Sequence, residues 1–196
     1  MKIYLMRHGE TDWNREYRIQ GREDIPLNDA GIQMAHRCGT LLGAQGILVH
    51  KVITSPLSRA AQTAEIVSGY IGGGRPMVEE GLIERDFGTI SGLPLRKDYG
   101  LYLPDEQRIS GLEPLRETGE RALSALLRHA GEWEGNILAV SHGGTINAAL
   151  RVLSSGEMGT GKTHLRNMSV TLLTYEDGKL RVAVLNKQPE EYGDLI

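Results

Sequence analysis

The sequence has little cysteine and no long apolar run, and each shortage excludes a class of protein. Cys38 is the only cysteine among the 196 residues, so an internal disulfide and a cysteine-based zinc site are both excluded. No apolar run approaches the ~20 residues that a transmembrane helix needs. The stretch before Arg7 is too short for the apolar core of a signal peptide. We therefore expect a cytoplasmic protein that does not associate with membranes.

The chain also lacks an excess of positive charge. Its formal net charge is −3, with 24% charged and 40% hydrophobic residues, which is typical of an ordinary globular protein. A protein that binds nucleic acid or an acidic membrane surface usually carries a basic patch. We expect no nucleic-acid partner, and any site for an anion has to be a local pocket.

Short apolar runs alternate with amphipathic stretches along the chain, which is typical of an α/β fold. The predicted strands span 2–6, 47–54, 77–83, 136–140, 170–175 and 180–185. The predicted helices span 28–42, 56–71, 112–133 and 145–153, and the polar stretch 9–26 is expected to be irregular. We expect a single domain over residues 1–196, a three-layer αβα sandwich with a mostly parallel central sheet, helices on both faces and a small cap segment around 93–111. A monomer and a homodimer both remain open.

Two histidines follow directly after predicted strands. One apolar run leads into Arg7-His8-Gly9, and another leads, through one serine, into His142-Gly143. In an open α/β sheet, ligands bind at the carboxyl ends of the strands. The glycine after each histidine allows a backbone amide to approach an anion closely. The pattern predicts a reactive site for an anion at this edge of the sheet.

Two more polar residues follow the other predicted strands, and together the set suits phosphoryl transfer. Arg59 follows the second strand and Glu84 the third. Arg7 and Arg59 offer the bidentate geometry that a phosphate prefers. A neutral imidazole is nucleophilic, and arginine charges nearby lower its pKa, so His8 can attack phosphorus and form a phosphohistidine. Glu84 would protonate the leaving alkoxide and then activate water, while His142 and the arginines hold the phosphoryl oxygens.

These blocks occur in the order of a known family. Arg7-His8-Gly9-Glu10-Thr11 with Trp13-Asn14 resembles the signature of the histidine phosphatase superfamily, in its phosphoglycerate mutase-like branch. Further blocks that are similar to those of the family are Gln20-Gly21, Ser55-Pro56-Leu57-Ser58-Arg59, Leu82-Ile83-Glu84-Arg85, Val140-Ser141-His142-Gly143-Gly144 and Asn167-Met168-Ser169-Val170. Together the resemblance covers about residues 1–92 and 134–175.

The resemblance assigns roles to ten residues. It implies that His8 is the phosphorylated nucleophile, that Glu84 is the proton donor, and that the phosphate pocket is completed by Arg7, Arg59 and His142. It implies a substrate-binding role for Asn14, Gln20, Gly21, Arg85 and Gly143. It implies no metal and no other cofactor, and the expected partner is a small phosphorylated metabolite.

Three functions fit these residues. The favoured one is a metal-independent phosphatase that hydrolyses a small-molecule phosphomonoester. The alternative is a cofactor-dependent phosphoglycerate mutase, which has to shield its phosphohistidine from water and needs extra basic residues. The stretch between Glu84 and the helix predicted at 112 is short for a mutase, although it and the helix carry Arg96, Lys97, Arg108 and Arg116. A non-catalytic phospholigand-binding protein is least favoured, because such a protein should lack one of the five pocket residues.

Two other features of the sequence, a phosphate-loop pattern and the remaining histidines, are interpreted as having no role in nucleotide binding or catalysis. Residues 156–163 match the phosphate-loop pattern of nucleotide hydrolases, but that loop needs a strand before it and a helix after it. Here a helix precedes it and a strand follows, so we expect a flexible loop that borders the pocket. The remaining histidines, expected to be solvated or capping residues, are His36, His50, His129 and His164.

Overall fold

The computed structural model describes residues 1–95 and 109–195. Most of the predicted cap lies outside them, with Arg96, Lys97 and Arg108. The strands are β1 (Lys2–Arg7), β2 (Lys51–Thr54), β3 (Met77–Val78), β4 (Ile137–Ser141), β5 (Val170–Glu176) and β6 (Lys179–Lys187). The α-helices are α1 (Asp12–Arg15), α2 (Asp29–Ala44), α3 (Ser58–Ile71), α4 (Leu115–Glu132) and α5 (Gly143–Leu153), and short 3-10 helices span Glu80–Leu82, Gly88–Ile90 and Pro189–Leu195.

The described strands form one sheet in the order β3-β2-β4-β1-β5-β6. β1 to β4 pair in parallel, and β5 and β6 add an antiparallel hairpin at the β1 side. The expected mostly parallel sheet is therefore confirmed. β1 lies beside β4 in a register that places Arg7 opposite Ser141, which brings together the segments that follow both strands.

Side chains of the central strands alternate between two apolar layers. On β1, Tyr4 and Met6 pack with residues of α2 and α3, whereas Ile3 and Leu5 pack with residues of α4 and α5. These strand side chains are almost fully buried, so both faces of the sheet are covered, as a parallel sheet requires. The predicted three-layer αβα sandwich with helices on both faces is confirmed.

Several boundaries differ from the sequence prediction for local reasons. The stretch 9–26 is not entirely irregular, because Thr11 and Asn14 form a capping box that starts the short α1. β2 begins only at Lys51, since the preceding residues make an isolated bridge from Val49 to Gly72. β3 stops at Val78, because the Glu79 side chain accepts a hydrogen bond from the Gly81 amide and begins a 3-10 turn.

The start of α5 is the boundary that bears on function. The prediction placed it at Thr145, since glycine is a poor helix former. The helix begins at Gly143, with His142 as its N-cap residue and no side-chain cap. The free amides of Gly144 and Thr145 donate to the Glu84 side chain instead, so this side chain satisfies the helix end in place of a local cap.

Within the described residues, no helix has the length and apolar character needed to cross a membrane.

Candidate active site

His8 lies just beyond β1, buried and held in one orientation. Its Nδ1 lies 2.6 Å from the Gly9 carbonyl oxygen. A carbonyl only accepts hydrogen bonds, so Nδ1 carries the proton and the lone pair is left on Nε2. Burial lowers the pKa of His8 well below its usual range, and the charges of Arg59 and Arg7 lower this pKa further. The ring is therefore neutral at pH 7, with a nucleophilic Nε2.

Arg59 lies in the first turn of α3 and is fully buried. Its guanidinium donates to the carbonyls of Gly21 at 2.8 Å and Glu23 at 2.7 Å, and to Nδ1 of His142 at 3.2 Å. Burial lowers its pKa to about 10, so it remains a cation at neutral pH. The loop after α1 thus fixes the plane of this guanidinium.

His142 begins α5 with its ring 5.1 Å from the ring of His8, measured between centroids. Its Nδ1 accepts from Arg59, so its Nε2 carries the proton and donates to the Ser55 hydroxyl at 2.7 Å. Burial and then the Arg59 charge lower its pKa well below its usual range. Both ring nitrogens are therefore engaged by protein groups, and His142 is absent from the described residues that line the cavity.

Arg7, the last residue of β1, points one edge of its guanidinium at this cluster. One terminal nitrogen donates to the Leu165 carbonyl at 2.5 Å, and burial lowers its pKa. Its Nε is buried and has no hydrogen-bond partner within residues 1–95 and 109–195. We call Arg7, His8, Arg59 and His142 the phosphate floor, since they converge at the carboxyl ends of β1 and β4.

Glu84 lies against the first turn of α5 and borders the same cavity as Arg7, His8 and Arg59. Its Oε1 accepts the backbone amides of Arg85 and Thr145, both at 2.8 Å, while among the described residues its Oε2 accepts only the Gly144 amide, at 3.1 Å. A side chain at position 144 would collide with this carboxylate, because an added Cβ would lie 2.7 Å from Oε1. Oε2 is therefore the oxygen with room for a proton.

The five residues with an implied substrate role all border one cavity of about 250 Å³ with Arg7, His8, Arg59 and Glu84. They are Asn14, Gln20, Gly21, Arg85 and Gly143. The structure therefore brings together nine of the ten predicted residues around one space, with His142 directly beneath it.

The glycine after the first histidine has a different role from the one predicted. The Gly9 amide donates to the Thr63 hydroxyl at 3.1 Å, so it is engaged by α3 and not free for an anion. An added Cβ would lie 2.7 Å from the Gly31 carbonyl oxygen. Gly9 is thus required by the close approach of α2, whereas Gly143 does border the cavity.

Arg121 of α4 positions the acid segment, and the sequence analysis missed it. It donates to the carbonyls of Gly81, Ile83 and Glu84 at 2.8, 2.7 and 3.2 Å, and pairs with both oxygens of Glu113. Three backbone carbonyls within the four residues that end at Glu84 are thus fixed to one guanidinium. In the sequence, Arg121 is one of several charges on an amphipathic helix and carries no distinguishing signal.

Asn167 is a second positioning residue. Its amide nitrogen lies 3.0 Å from the carbonyls of His8 and Gly9 and 3.1 Å from Oδ1 of Asn14. Asn167 therefore links the segment that contains His8 to α1 through hydrogen bonds. The sequence block around Asn167 was identified by resemblance, but no role was predicted for this side chain.

Other expectations have mixed outcomes. His129 is neither solvated nor a cap, since it is buried and its Nε2 lies 2.8 Å from a Glu79 oxygen. His164 is exposed but borders the cavity. Arg116 does not border the cavity and pairs with Glu120 on the exposed face of α4.

The segment that matches the phosphate-loop pattern lies between α5 and β5, so it lacks the required strand before it and helix after it. Thr160 and Thr163 of this segment border the cavity, which confirms that it flanks the pocket. Among the residues that the structure describes, no group of three or more histidine, cysteine or carboxylate side chains is arranged to hold a metal ion.

Comparisons with known proteins agree with this arrangement. A family model described as the histidine phosphatase superfamily (branch 1) matches residues 3–188. A Bacillus subtilis (strain 168) protein named "Uncharacterized phosphatase PhoE" is 34% identical over 186 residues, which cover 94% of this chain and 93% of that protein. A 2,3-bisphosphoglycerate-dependent phosphoglycerate mutase of Azorhizobium caulinodans is 32% identical, over 77% of this chain and 80% of that protein.

A solved structure of a similar protein has the same fold. A mutant phosphoserine phosphatase from Entamoeba histolytica, in complex with phosphoserine, aligns with a TM-score of 0.80 at 28% identity. The alignment covers 95% of this chain and 96% of that chain. Similar proteins thus include both phosphatases and mutases.

Proposed function

This chain belongs to the histidine phosphatase superfamily (branch 1), and from that membership we propose that it is a metal-independent phosphatase acting on a small phosphomonoester. The observation that carries the proposal is the orientation of His8, whose Nδ1–H is bound to the Gly9 carbonyl while burial, and then the charges of Arg59 and Arg7, lower its pKa and keep the ring neutral. Such a ring presents one lone pair to the cavity. The phosphate floor is thus built for nucleophilic attack on phosphorus.

In the first step, the Nε2 lone pair of His8 attacks phosphorus and the ester P–O bond breaks. Arg7 and Arg59 balance the negative charge on the phosphoryl oxygens, the contribution on which phosphoryl transfer chiefly depends. His142 orients the Arg59 guanidinium through its Nδ1. The product of this half-reaction is a phosphohistidine on His8 and the alcohol part of the ester.

Glu84 balances the protons. Its carboxyl gives a proton to the alkoxide as the P–O bond breaks, since an unprotonated alkoxide is a poor leaving group. The resulting carboxylate then takes a proton from water while the water oxygen attacks the phosphohistidine. Inorganic phosphate departs, and His8 and Glu84 return to their starting forms.

The proposed substrate is a small phosphorylated metabolite. A cavity of about 250 Å³ is slightly below the usual size range of ligand pockets, which is ~300–1,000 Å³. The single buried cysteine, Cys38, and the absence of a membrane-crossing helix in the described residues fit the proposed cytoplasmic location.

A mutase is the second candidate, supported by the similarity to the Azorhizobium caulinodans enzyme. A mutase returns the phosphoryl group to a second hydroxyl, whereas a phosphatase gives it to water. Incubation with 3-phosphoglycerate, with and without 2,3-bisphosphoglycerate, separates the two. We expect release of inorganic phosphate, and accumulation of 2-phosphoglycerate in its place would favour the mutase.

The proposal is tested by trapping the intermediate. The protein is mixed with a ³²P-labelled phosphomonoester and quenched in alkali, because phosphohistidine is acid-labile. Peptide mapping should place the label on His8, and EDTA should leave both labelling and turnover unchanged. Turnover without label on His8 would rule out this mechanism, and inhibition by EDTA would point to a metal.

A further inference from the structure

Two side chains on one side of the cavity each have a buried polar atom with no hydrogen-bond partner among the described residues. They are Asn147 of α5, whose Oδ1 is buried, and Thr160, whose Oγ1 is buried in a residue that is only 6% exposed. Neither atom has a partner among the residues that the structure describes. Buried polar atoms are nearly always hydrogen-bonded in folded proteins, so an unpaired couple beside a ligand cavity needs an explanation.

The two residues form one surface. The Thr160 amide donates to the Asn147 carbonyl at 3.3 Å. An added Cβ on Gly159 would lie 2.1 Å from that same carbonyl oxygen, so the loop is packed directly on α5 at this point. Both Asn147 and Thr160 border the cavity. We call these two residues the leaving-group wall.

The position of the wall follows from the helix. Gly143, Gly144 and Asn147 all border the cavity, and residues three or four apart share one face of a helix. The Gly144 amide binds Oε2 of Glu84, the oxygen that would protonate the leaving group. Asn147 therefore lies one turn beyond the atom that meets the departing alcohol, on the side away from the phosphate floor.

From this placement we propose that Asn147 and Thr160 select the alcohol part of the substrate, and that this alcohol carries a hydroxyl or amino group close to its ester carbon. The inference rests on the proposed function, since it assumes that Glu84 marks the leaving-group side. Both oxygens are closed to water in the unliganded protein, so the Asn147 amide and the Thr160 hydroxyl turn toward the cavity on binding, where a hydroxyl or amino group of the alcohol completes their hydrogen bonds. An alkyl group would leave them buried and unpaired, which costs binding energy in the transition state.

The test compares matched esters. Wild-type kcat/KM is measured for glycerol 3-phosphate and O-phosphoethanolamine against n-propyl phosphate, which has similar size and no second polar group. We expect the polar esters to be preferred by about tenfold or more, the value of one hydrogen bond in binding. Asn147→Leu and Thr160→Val each remove a polar atom while keeping much of the side-chain volume, and each should move this ratio toward one.

Controls separate selection from folding. Arg151→Gln, one turn further along α5 and outside the cavity lining, should keep the wild-type ratio, and thermal melting checks that each variant is folded. If one of the two wall variants does not fold, the other still tests the proposal, because the readout is a ratio within one protein.

The outcomes distinguish the two proposals. A wild-type ratio near one, with His8 still labelled, would overturn the selection by the wall and leave the phosphatase standing. An unchanged ratio in both folded wall variants would overturn it as well. No turnover and no label with any ester would overturn the proposed function and this inference with it.

Discussion

The phosphate floor and the leaving-group wall border the same cavity but differ in how many of their polar atoms are hydrogen-bonded within the protein. In the floor, protein groups hold both histidine rings and all three nitrogens of Arg59, and only Nε of Arg7 is buried there without a partner among the described residues. In the wall, Asn147 and Thr160 each have a buried oxygen without a partner in the described part of the chain. The phosphoryl group is common to every phosphomonoester, so most of its site can be complete before a substrate binds. The alcohol differs between substrates, so its site is completed only by the correct ligand.

The largest effect should come from removing the nucleophile of the floor. His8→Ala should reduce turnover of p-nitrophenyl phosphate by ~10³-fold or more, because the proposed mechanism passes through a covalent intermediate on this ring. The matched control is His36→Ala, an exposed histidine that contacts Tyr70, and it should retain wild-type turnover. Comparable activity in His8→Ala would place the nucleophile elsewhere.

A smaller loss, dependent on the substrate, should follow at the boundary between floor and wall. Glu84→Gln cannot protonate an alkoxide, so turnover of an alkyl phosphate should fall by roughly 10²–10⁴-fold. p-Nitrophenolate leaves without a proton, so p-nitrophenyl phosphate should lose much less. The exposed Glu80→Gln serves as the control. Equal losses with both substrates would remove Glu84 from the role of acid.

Arg121 should have an effect of the same kind but weaker, since it acts through Glu84. Arg121→Met frees the carbonyls of Gly81, Ile83 and Glu84, and we expect about a tenfold loss with alkyl phosphates. p-Nitrophenyl phosphate and labelling of His8 should change less, and Arg121→Lys should restore part of the loss. The exposed Arg116→Met is the control. A uniform loss with every substrate would indicate a purely structural role.

The smallest effect concerns stability and tests the burial of the floor. The pKa values of His8 and His142 are lowered well below their usual range by burial, whereas in the unfolded chain they return to ~6.5. Below that pH the unfolded chain binds protons that the folded chain does not, so stability falls by up to about 1.4 kcal/mol per pH unit for each histidine. The contribution of the two neutral histidines to stability is fully present above pH ~6.5.

The melting temperature between pH 7.5 and 5.5 measures this loss. The wild type should lose stability as the pH falls, and His8→Gln should lose it less steeply, because one of the two buried imidazoles is gone. Parallel pH curves for the two proteins would mean that His8 is not held neutral in the folded state.

The residues of the phosphate floor could be predicted from the sequence, whereas those of the leaving-group wall could not. His8 and His142 each follow an apolar strand, and the position of a strand end is fixed by local pattern and by the pairing of parallel strands. Asn147 has no such signal, because it is one polar residue in a helix that begins two residues earlier than glycine propensity predicts. Thr160 lies in a segment that was predicted to border the pocket, but only the packing of this segment on α5 shows which of its residues do so.

Packing between distant segments also explains why two residues were interpreted wrongly from the sequence. His129 looks like a solvated residue of an amphipathic helix, yet it is buried against Glu79, which belongs to the segment that Arg121 holds. The Gly9 amide is used by Thr63, a residue that lies far from it in the sequence. Contacts between distant segments carry no local pattern, so neither could be derived from neighbouring letters.

The place of β1 in the sheet has a consequence for biosynthesis. β1 is synthesised before both of its sheet neighbours, β4 and β5, which follow it by more than 120 residues. Hydrogen bonds that link such distant segments form late. In a nascent chain, His8 is therefore not held in its native position until residues 170–176 have emerged. Truncated translation products should have no activity toward the phosphorylated metabolites around them.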